Sequence, residues 1–373
     1  MSLISLSKLA IVVKPTDSVS KVISKMIKDD VYEVVVMEKD TFHGVVVARD
    51  IAKRKINDPK KAEIKQYVKR VNVLQPDQSV DDVIETMVVN DQKAVPIVKN
   101  NKYYLLTRMS LLKSLMDHKS LRNKTANNVM TFPFFAKNYD PITTVMSVLG
   151  ELNVSRLPIV GENNKLEGMV TTKDLLRAQV DRQRLGLGAK GGEKSKIRKT
   201  PISSLMKKNV VTLAPMTPIK TIIETMLRKN TDTVIIEEYN KIVGIITPKH
   251  ILKMIRREPT EPEKEVSGVY LKISGIQEQG IFSKRAINKE VENEIQKLSR
   301  FIPITYVNLH VHPQKISGQR KKYSVRGKII TEHGYYFANN DEWDIKLAIK
   351  GVLNKFEKEM MKDRGKMLKK RKS

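Results

Sequence analysis

Between Leu3 and Arg256 the chain repeats one pattern four times, and nothing else in the sequence limits its fold so narrowly. Each copy opens with a short β-branched run and a polar turn. A helix then begins: KPTDSVSKVISKM, QPDQSVDDVIETM, NYDPITTVMSVL and APMTPIKTIIETM. Aligned on Val19, Val80, Ile142 and Ile219, the copies stand 61, 62 and 77 residues apart, so only the last interval is stretched. A strand follows each helix (EVVVM, AVPIV, RLPIV, DTVII). A second strand then runs into a second helix: GVVVARDIAK, YLLTRMSLLK, GMVTTKDLLR and GIITPKHILK. Such a unit cannot bury its sheet face alone, so copies are expected to pack in pairs.

The helix starts have ordinary chemical causes. Asp17, Asp77 and Asp140 are N-cap-type residues, and Pro141 and Pro218 suit a first turn, where a missing N–H is harmless. The chain has no cysteine, which excludes disulfides, thiol catalysis and cysteine-ligated zinc and fits a cytoplasmic, reducing location. No apolar run approaches the roughly 20 residues that span a bilayer, and the opening MSLISLSKLAIVV lacks the basic flank of a signal peptide, so no membrane association is expected. The formal net charge of +28 points to a polyanionic partner.

The four copies resemble CBS domains, which pair into two-fold-symmetric Bateman units. The resemblance implies two pairs, Leu3 to Asp117 and Ser120 to Arg257, stacked as a flat disc. It also implies clefts for an adenosine nucleotide (AMP, ADP or ATP), with no cofactor required. In that family a Gly-apolar-apolar-Thr-x-x-Asp run places Asp on the ribose and Thr near the phosphates. The third copy keeps the run whole as Gly168, Thr171 and Asp174, with Arg156 facing the phosphates. The first keeps Gly44 and Asp50 but has Val47 for Thr. The fourth keeps Gly244 and Thr247 but ends in His250, and the second has Tyr104 and Ser110 at the outer positions. Asp174 reads equally well as a plain helix cap bonding backbone N–H groups.

The stretched interval holds RLGLGAKGGEKSKIRKT, expected as a flexible basic loop over 182–200; the phosphate-loop pattern GxxxxGK[ST] is absent from it. Its Lys190, Lys194 and Lys196 are candidates for RNA phosphate. The modules are thus expected at 3–58, 64–117, 120–181 and 201–256, with a Pro/Glu-rich linker at 257–266.

Beyond the linker, 267–366 reads as a β-α-β-β-β-α domain, giving an overall class of α/β and α+β, and 367–373 reads as a basic tail. From Ser267 onward there are 23 Lys+Arg against 11 Asp+Glu. The closing helix, expected from Asp341 to about Met361, puts Ile345, Ile349, Val352, Leu353, Phe356 and Met360 on one side, and Lys346, Lys350, Lys355, Lys358 and Lys362 on the other. That row continues into Arg364, Lys366, Lys369, Lys370, Arg371 and Lys372, which favours phosphate binding over a merely solvated face. Lys322, Arg326 and Lys328 alternate with apolar residues as a second basic strip. The element order, SKRAINKEVENEIQKLSRF and NDEWDIKLAIKGVLNKFEKEMMK make the domain resemble the ribosome hibernation promoting factor (YfiA-like) family. The resemblance implies binding to small-subunit rRNA in the mRNA and tRNA path, with the large subunit also in reach, and adds Lys284, Arg285 and Lys289 to the candidates. Fused to four CBS modules, the chain resembles an archaeal hibernation factor acting under stress.

Little else in the sequence suggests chemistry. His310 and His312 lie two apart on one strand without a third ligand nearby, so no metal is expected. No nucleophile elbow, zincin or kinase pattern appears, and a non-enzyme is expected. Trp343 either stacks on a base or plugs the sheet edge. Two functions therefore compete: a ribosome-bound translation silencer, and an adenylate-responsive CBS regulator of an enzyme or transporter that does not bind ribosomes.

Overall fold

Each repeat folds as its periodicity dictates, two short strands and a helix being laid over a helix of period 3.6. The structure, a computed structural model, describes residues 2–54, 56, 58–152, 154–184, 200–256, 264–266, 268–276, 281–315, 321–331 and 334–370. The side chains of 163, 179–184, 264–266, 281, 282, 284, 285, 315 and 366–370 are not among those described. The chain divides into a unit of Met1–Pro259 and one of Thr260–Ser373.

The first module comprises α1 (Leu3–Leu6), β1 (Lys8–Leu9), β2 (Val12–Val13), α2 (Val19–Lys28), β3 (Glu33–Glu38), β4 (Thr41–Val47) and α3 (Ala48–Ala52). The second has α4 (Val80–Val89), β5 (Ala94–Lys99), β6 (Lys102–Thr107) and α5 (Arg108–Ser114). The third has β7 (Ala136–Lys137), α6 (Ile142–Glu151), β8 (Arg156–Val160), β9 (Leu166–Thr171) and α7 (Thr172–Arg184). The fourth has β10 (Thr212–Leu213), α8 (Ile219–Arg228), β11 (Val234–Glu238), β12 (Lys241–Ile246) and α9 (Pro248–Ile255). The basic segment expected as a loop thus begins as helix through Arg184, and 185–199 lie outside the described residues.

Two of the three aspartates expected as caps do another job. Ser18 and Ser79 accept the N–H groups of Lys21 and Asp82, and Pro141 and Pro218 occupy the N-cap positions of α6 and α8. Asp17 and Asp140 instead accept the N–H groups of Lys14 (3.0 Å) and Lys137 (2.8 Å), closing the turn ahead of the helix as Asx residues do.

Pairing is reciprocal. β1 crosses to the second module and pairs antiparallel with β6, while β2 returns to lie parallel to β3. In exchange, Lys69, leading into the second module, bridges Val45 on β4. The second pair repeats the device, with Met169 bridging Lys207 and Thr131 bridging Ile245. This exchange explains the glycine within the second strand. A Cβ on Gly44, where φ is +140°, would stand 2.2 Å from the Lys69 carbonyl oxygen, and one on Gly168 would stand 2.8 Å from that of Lys207. Only glycine lets the partner's backbone approach so closely.

The modules share cores. One cluster joins Val83, Ile84 and Met87 of α4 to Ile219, Ile222, Ile223 and Met226 of α8. Another sets Leu176 of α7 among Val19, Val22, Ile23, Met26 and Ile51 of the first module. A small third cluster, Ala10, Val35, Val45, Ala94 and Leu105, ties the first two sheets together.

The second unit holds β13 (Lys264–Val266), β14 (Val269–Ser274), α10 (Ile281–Ser299), β15 (Ile304–Lys315), β16 (Lys321–Thr331), β17 (Gly334–Glu342) and α11 (Ile345–Lys370). Its sheet runs β13-β14-β15-β16-β17; β14 and β15 are parallel across the α10 crossover and the other neighbours are antiparallel. Part of the expected linker is therefore strand, because Gly268, at φ +79°, supplies the left-handed residue of a tight reversal into β14. Likewise α11 starts at Ile345 rather than Asp341. β17 carries the ladder to Glu342, and Asp344 caps the helix by accepting the N–H groups of Lys346 and Leu347. Val291, Ile295 and Leu298 of α10 and Ile349, Val352, Phe356 and Met360 of α11 form one core with Val307, Leu309, Val325 and Ile329.

Candidate ligand-binding clefts

At the open end of the first module's hairpin, where Glu33 at the start of β3 faces Val47 at the end of β4, the lead-in of the second module completes a cleft. In the second pair the strand-to-helix run comes together as its spacing implies. The Asp174 carboxylate accepts both the Thr171 hydroxyl (2.6 Å) and the Thr171 N–H (2.9 Å), and its other oxygen meets the Lys207 ammonium at 2.9 Å. Thr171 and Asp174 are buried, while Lys207 is exposed. Asp174 thus caps α7 and offers one oxygen that only a mobile lysine holds. Thr247 is occupied in its own module, capping α9 with His250, whose Nδ1 accepts the Thr247 N–H at 3.3 Å. Arg156 forms an ion pair with Asp232 and lies 5.6 Å from the Tyr32 ring. Burial works against its charge, but Asp232, Tyr32 and Asp174 more than offset this and raise its pKa.

The first pair repeats the geometry although its run lacks Thr. Asp50 meets the Lys69 ammonium at 2.8 Å, just as Asp174 meets Lys207. Beside Lys69 opens a cavity of about 400 Å³. Val45, Val47, Val71 and Ala94 supply apolar wall, Arg49, Lys69, Arg70 and Lys93 supply cations, and Glu33, Asp91 and Gln92 supply acceptors. Valine at 47 makes this wall greasier than the threonine pattern would. An apolar slot with a few convergent polar groups is the usual form of a small-molecule site.

Towards the centre of the four modules the cleft runs into charge that no sequence pattern announces. Asp91 is gripped by Lys249 (2.6 Å), Arg108 (3.2 Å) and Arg49 (3.7 Å), cations of the fourth, second and first modules. Burial alone would raise this carboxyl, yet the three cations draw it down to about 2. Tyr32 lies beneath Lys173 (3.9 Å), Lys93 (5.0 Å) and Arg156 (5.6 Å), and burial pushes its phenol well above the ordinary range despite Arg156. Burial also lowers the Lys93 ammonium, against the pull of Asp232 and Glu33, and raises the Glu33 carboxyl, against Lys93 and Arg108. Among the described residues, Oε1 of Glu33 and Oε1 of Gln92 are buried without a hydrogen-bond partner.

In the second unit, Lys346, Lys350, Lys355, Lys358, Lys362 and Arg364 are exposed on α11 and Lys289 on α10. Lys355 bonds back to the Asn339 carbonyl (2.5 Å), and Arg364 lies 5.7 Å from the Phe301 ring. Lys322, Arg326 and Lys328 lie on the sheet face opposite α11, because a Cβ on intervening Gly327 would strike Val352 and Phe356. The helix row and the sheet strip are therefore separate surfaces. Trp343 is exposed, 6.0 Å from the Lys322 ammonium, so it plugs no sheet edge. Lys190, Lys194, Lys196, Arg371 and Lys372 lie outside the described residues, as do the side chains of Lys284, Arg285, Lys366, Lys369 and Lys370. His310 bonds Ser274 at 2.8 Å; among the described residues no three His, Asp or Glu gather as a metal would require, and no helix is long and apolar enough to cross a membrane.

The model of the CBS domain family matches residues 6–57, 64–117, 126–181 and 202–257. The uncharacterized protein MJ1225 of Methanocaldococcus jannaschii is 25% identical over 209 residues, 53% of this chain and 70% of its own. Its MJ1404 is 22% identical over 262 residues, 67% of this chain and 60% of its own. The crystal structure of MJ1225, a proposed archaeal homolog of g-AMPK, superposes with a TM-score of 0.61 at 20% identity, covering 68% of this chain and 99% of that one.

Proposed function

This chain belongs to the CBS domain family, and we propose that it is a non-enzymatic regulatory protein whose paired modules bind an adenosine ligand and pass its presence to a protein target. The observation that carries the reading is the cavity of about 400 Å³ in the first pair, whose wall includes Lys69, the ion-pair partner of Asp50. Its apolar wall suits the faces of a base, and Asp50, tied only to lysines, suits the two hydroxyls of a ribose. The walls come from two modules, so a bound ligand favours their closed packing over any looser one, which is the differential affinity that regulation requires. Calorimetric titration of the full chain with adenosine, AMP, ADP and ATP tests this. Binding that Asp50→Ala and Asp174→Ala each weaken supports the reading; no heat with any of the four at millimolar concentration sinks it.

The exposed lysine row of α11 favours a second reading, in which the terminal unit rests on RNA phosphate and silences ribosomes, as its resemblance to hibernation factors implies. Sedimentation through sucrose distinguishes the two. Salt-sensitive co-migration with ribosomal particles supports the silencer, whereas its absence at every salt concentration leaves the protein-target regulator.

A further inference from the structure

α4 ends at Val89, and Asp91 follows with φ +51°, the left-handed conformation with which helices commonly stop. In the fourth module the same place after α8 is held by Asn230, at φ +47°. Asparagine gives that conformation without charge, and a carboxylate beside a helix C-terminus meets the negative end of the dipole. Asp30 holds the same place after α2, at φ +52°, with an exposed side chain paired to Lys173, so helix termination tolerates an aspartate there and does not by itself explain the one at 91. What accounts for it is the company it keeps: Lys249, Arg108 and Arg49 converge on its two oxygens as cations do on a phosphate group, and the carboxylate itself lines the cavity.

The remaining wall mixes cations with unpartnered acceptors. Lys69 is held by Asp50, Lys93 stands half-buried over the Tyr32 ring, and Arg70 is exposed. Glu33 is 93% buried with Oε1 unpartnered, and Gln92 Oε1 is likewise unpartnered. Buried acceptors of this kind are satisfied by a ligand that donates.

We infer that Asp91 sets the ligand class of the first cleft: a built-in anion in the place of a phosphate, it admits a nucleoside whose far end is neutral or cationic and turns away one bearing a phosphate chain. This rests on the adenosine reading above. The second pair has Asn230 at the corresponding place.

The test titrates adenosine and AMP into the full chain carrying Asp174→Ala, which removes the second pair's counterpart of Asp50, with and without Asp91→Asn. Asparagine keeps the shape and the left-handed backbone, and the readout is the ratio of adenosine to AMP affinity within each protein. With Asp91 in place, adenosine binds at least about tenfold more tightly than AMP, a floor between the strength of one like-charge contact in water and that near a protein surface. Asp91→Asn shifts the ratio towards AMP by about tenfold or more. Equal or tighter AMP binding with Asp91 present, or a ratio that Asp91→Asn leaves unmoved, overturns the inference while leaving the adenosine reading intact. If neither compound binds either protein, the adenosine reading fails and this inference falls with it.

Discussion

Replacing Gly44 by alanine tests the claim that a glycine holds the first pair together. The substitution puts a Cβ on a residue with φ of +140°, which costs about 1–3 kcal/mol for any other L-residue. That Cβ would stand 2.2 Å from the Lys69 carbonyl oxygen, a backbone atom that cannot rotate away. Relief requires the lead-in to move off β4, giving up the reciprocal Val45 and Lys69 bonds of 2.9 and 2.8 Å, each worth about 1 kcal/mol. The expected loss is about 3–5 kcal/mol, confined to the four-module unit. Calorimetric melting of the full chain, with hydrogen exchange at the Val45 and Lys69 amides, measures it: the transition of this unit falls and both amides lose protection. Gly150→Ala is the control. On α6 its Cβ meets only the flexible Lys53 side chain at 3.3 Å, so it should be neutral or stabilise by up to about 1 kcal/mol. A Gly44→Ala protein that melts with wild type and keeps both amides protected would refute the crossed-lead-in account.

The Asp91 carboxyl is held below its unfolded value, so its stabilisation is complete above about pH 4 and lost as pH falls towards about 2; the gap in melting temperature between wild type and Asp91→Asn should close over that interval. Reversing Lys346, Lys350 and Lys358 to Glu should leave far-UV circular dichroism unchanged and abolish RNA retention, and single Lys→Ala changes should each reduce the salt slope by about 1. Phe356→Ala, at a fully buried position, should cost the terminal unit about 3–5 kcal/mol while the transition of the four-module unit stays in place.

Much of the candidate site was legible at the level of single strands and hardly at all at the level of the assembly. Gly168, Thr171 and Asp174 are neighbours along the chain, so their spacing alone puts Asp174 against Thr171. Lys69 and Lys207 belong to segments with no distinctive pattern, and they reach Asp50 and Asp174 only because the lead-ins exchange between modules. Asp91 left no trace that sets it apart, since Asp30 stands just past α2 in the same way. Its three partners come from positions 49, 108 and 249, which no local rule relates.

By itself the sequence determined four copies of one module, their pairing need, and a terminal domain with a lysine row opposite an apolar stripe. These follow from periodicity, which depends only on residues a few positions apart. Tertiary structure alone decided that a cavity opens beside Lys69, that Asp91 neutralises cations from three modules, and that the lysine row and the sheet strip occupy opposite faces. The physical reason is range. Side chains meet in a cleft according to which backbones cross there, and crossings between segments far apart in the chain are set by the packing of whole modules.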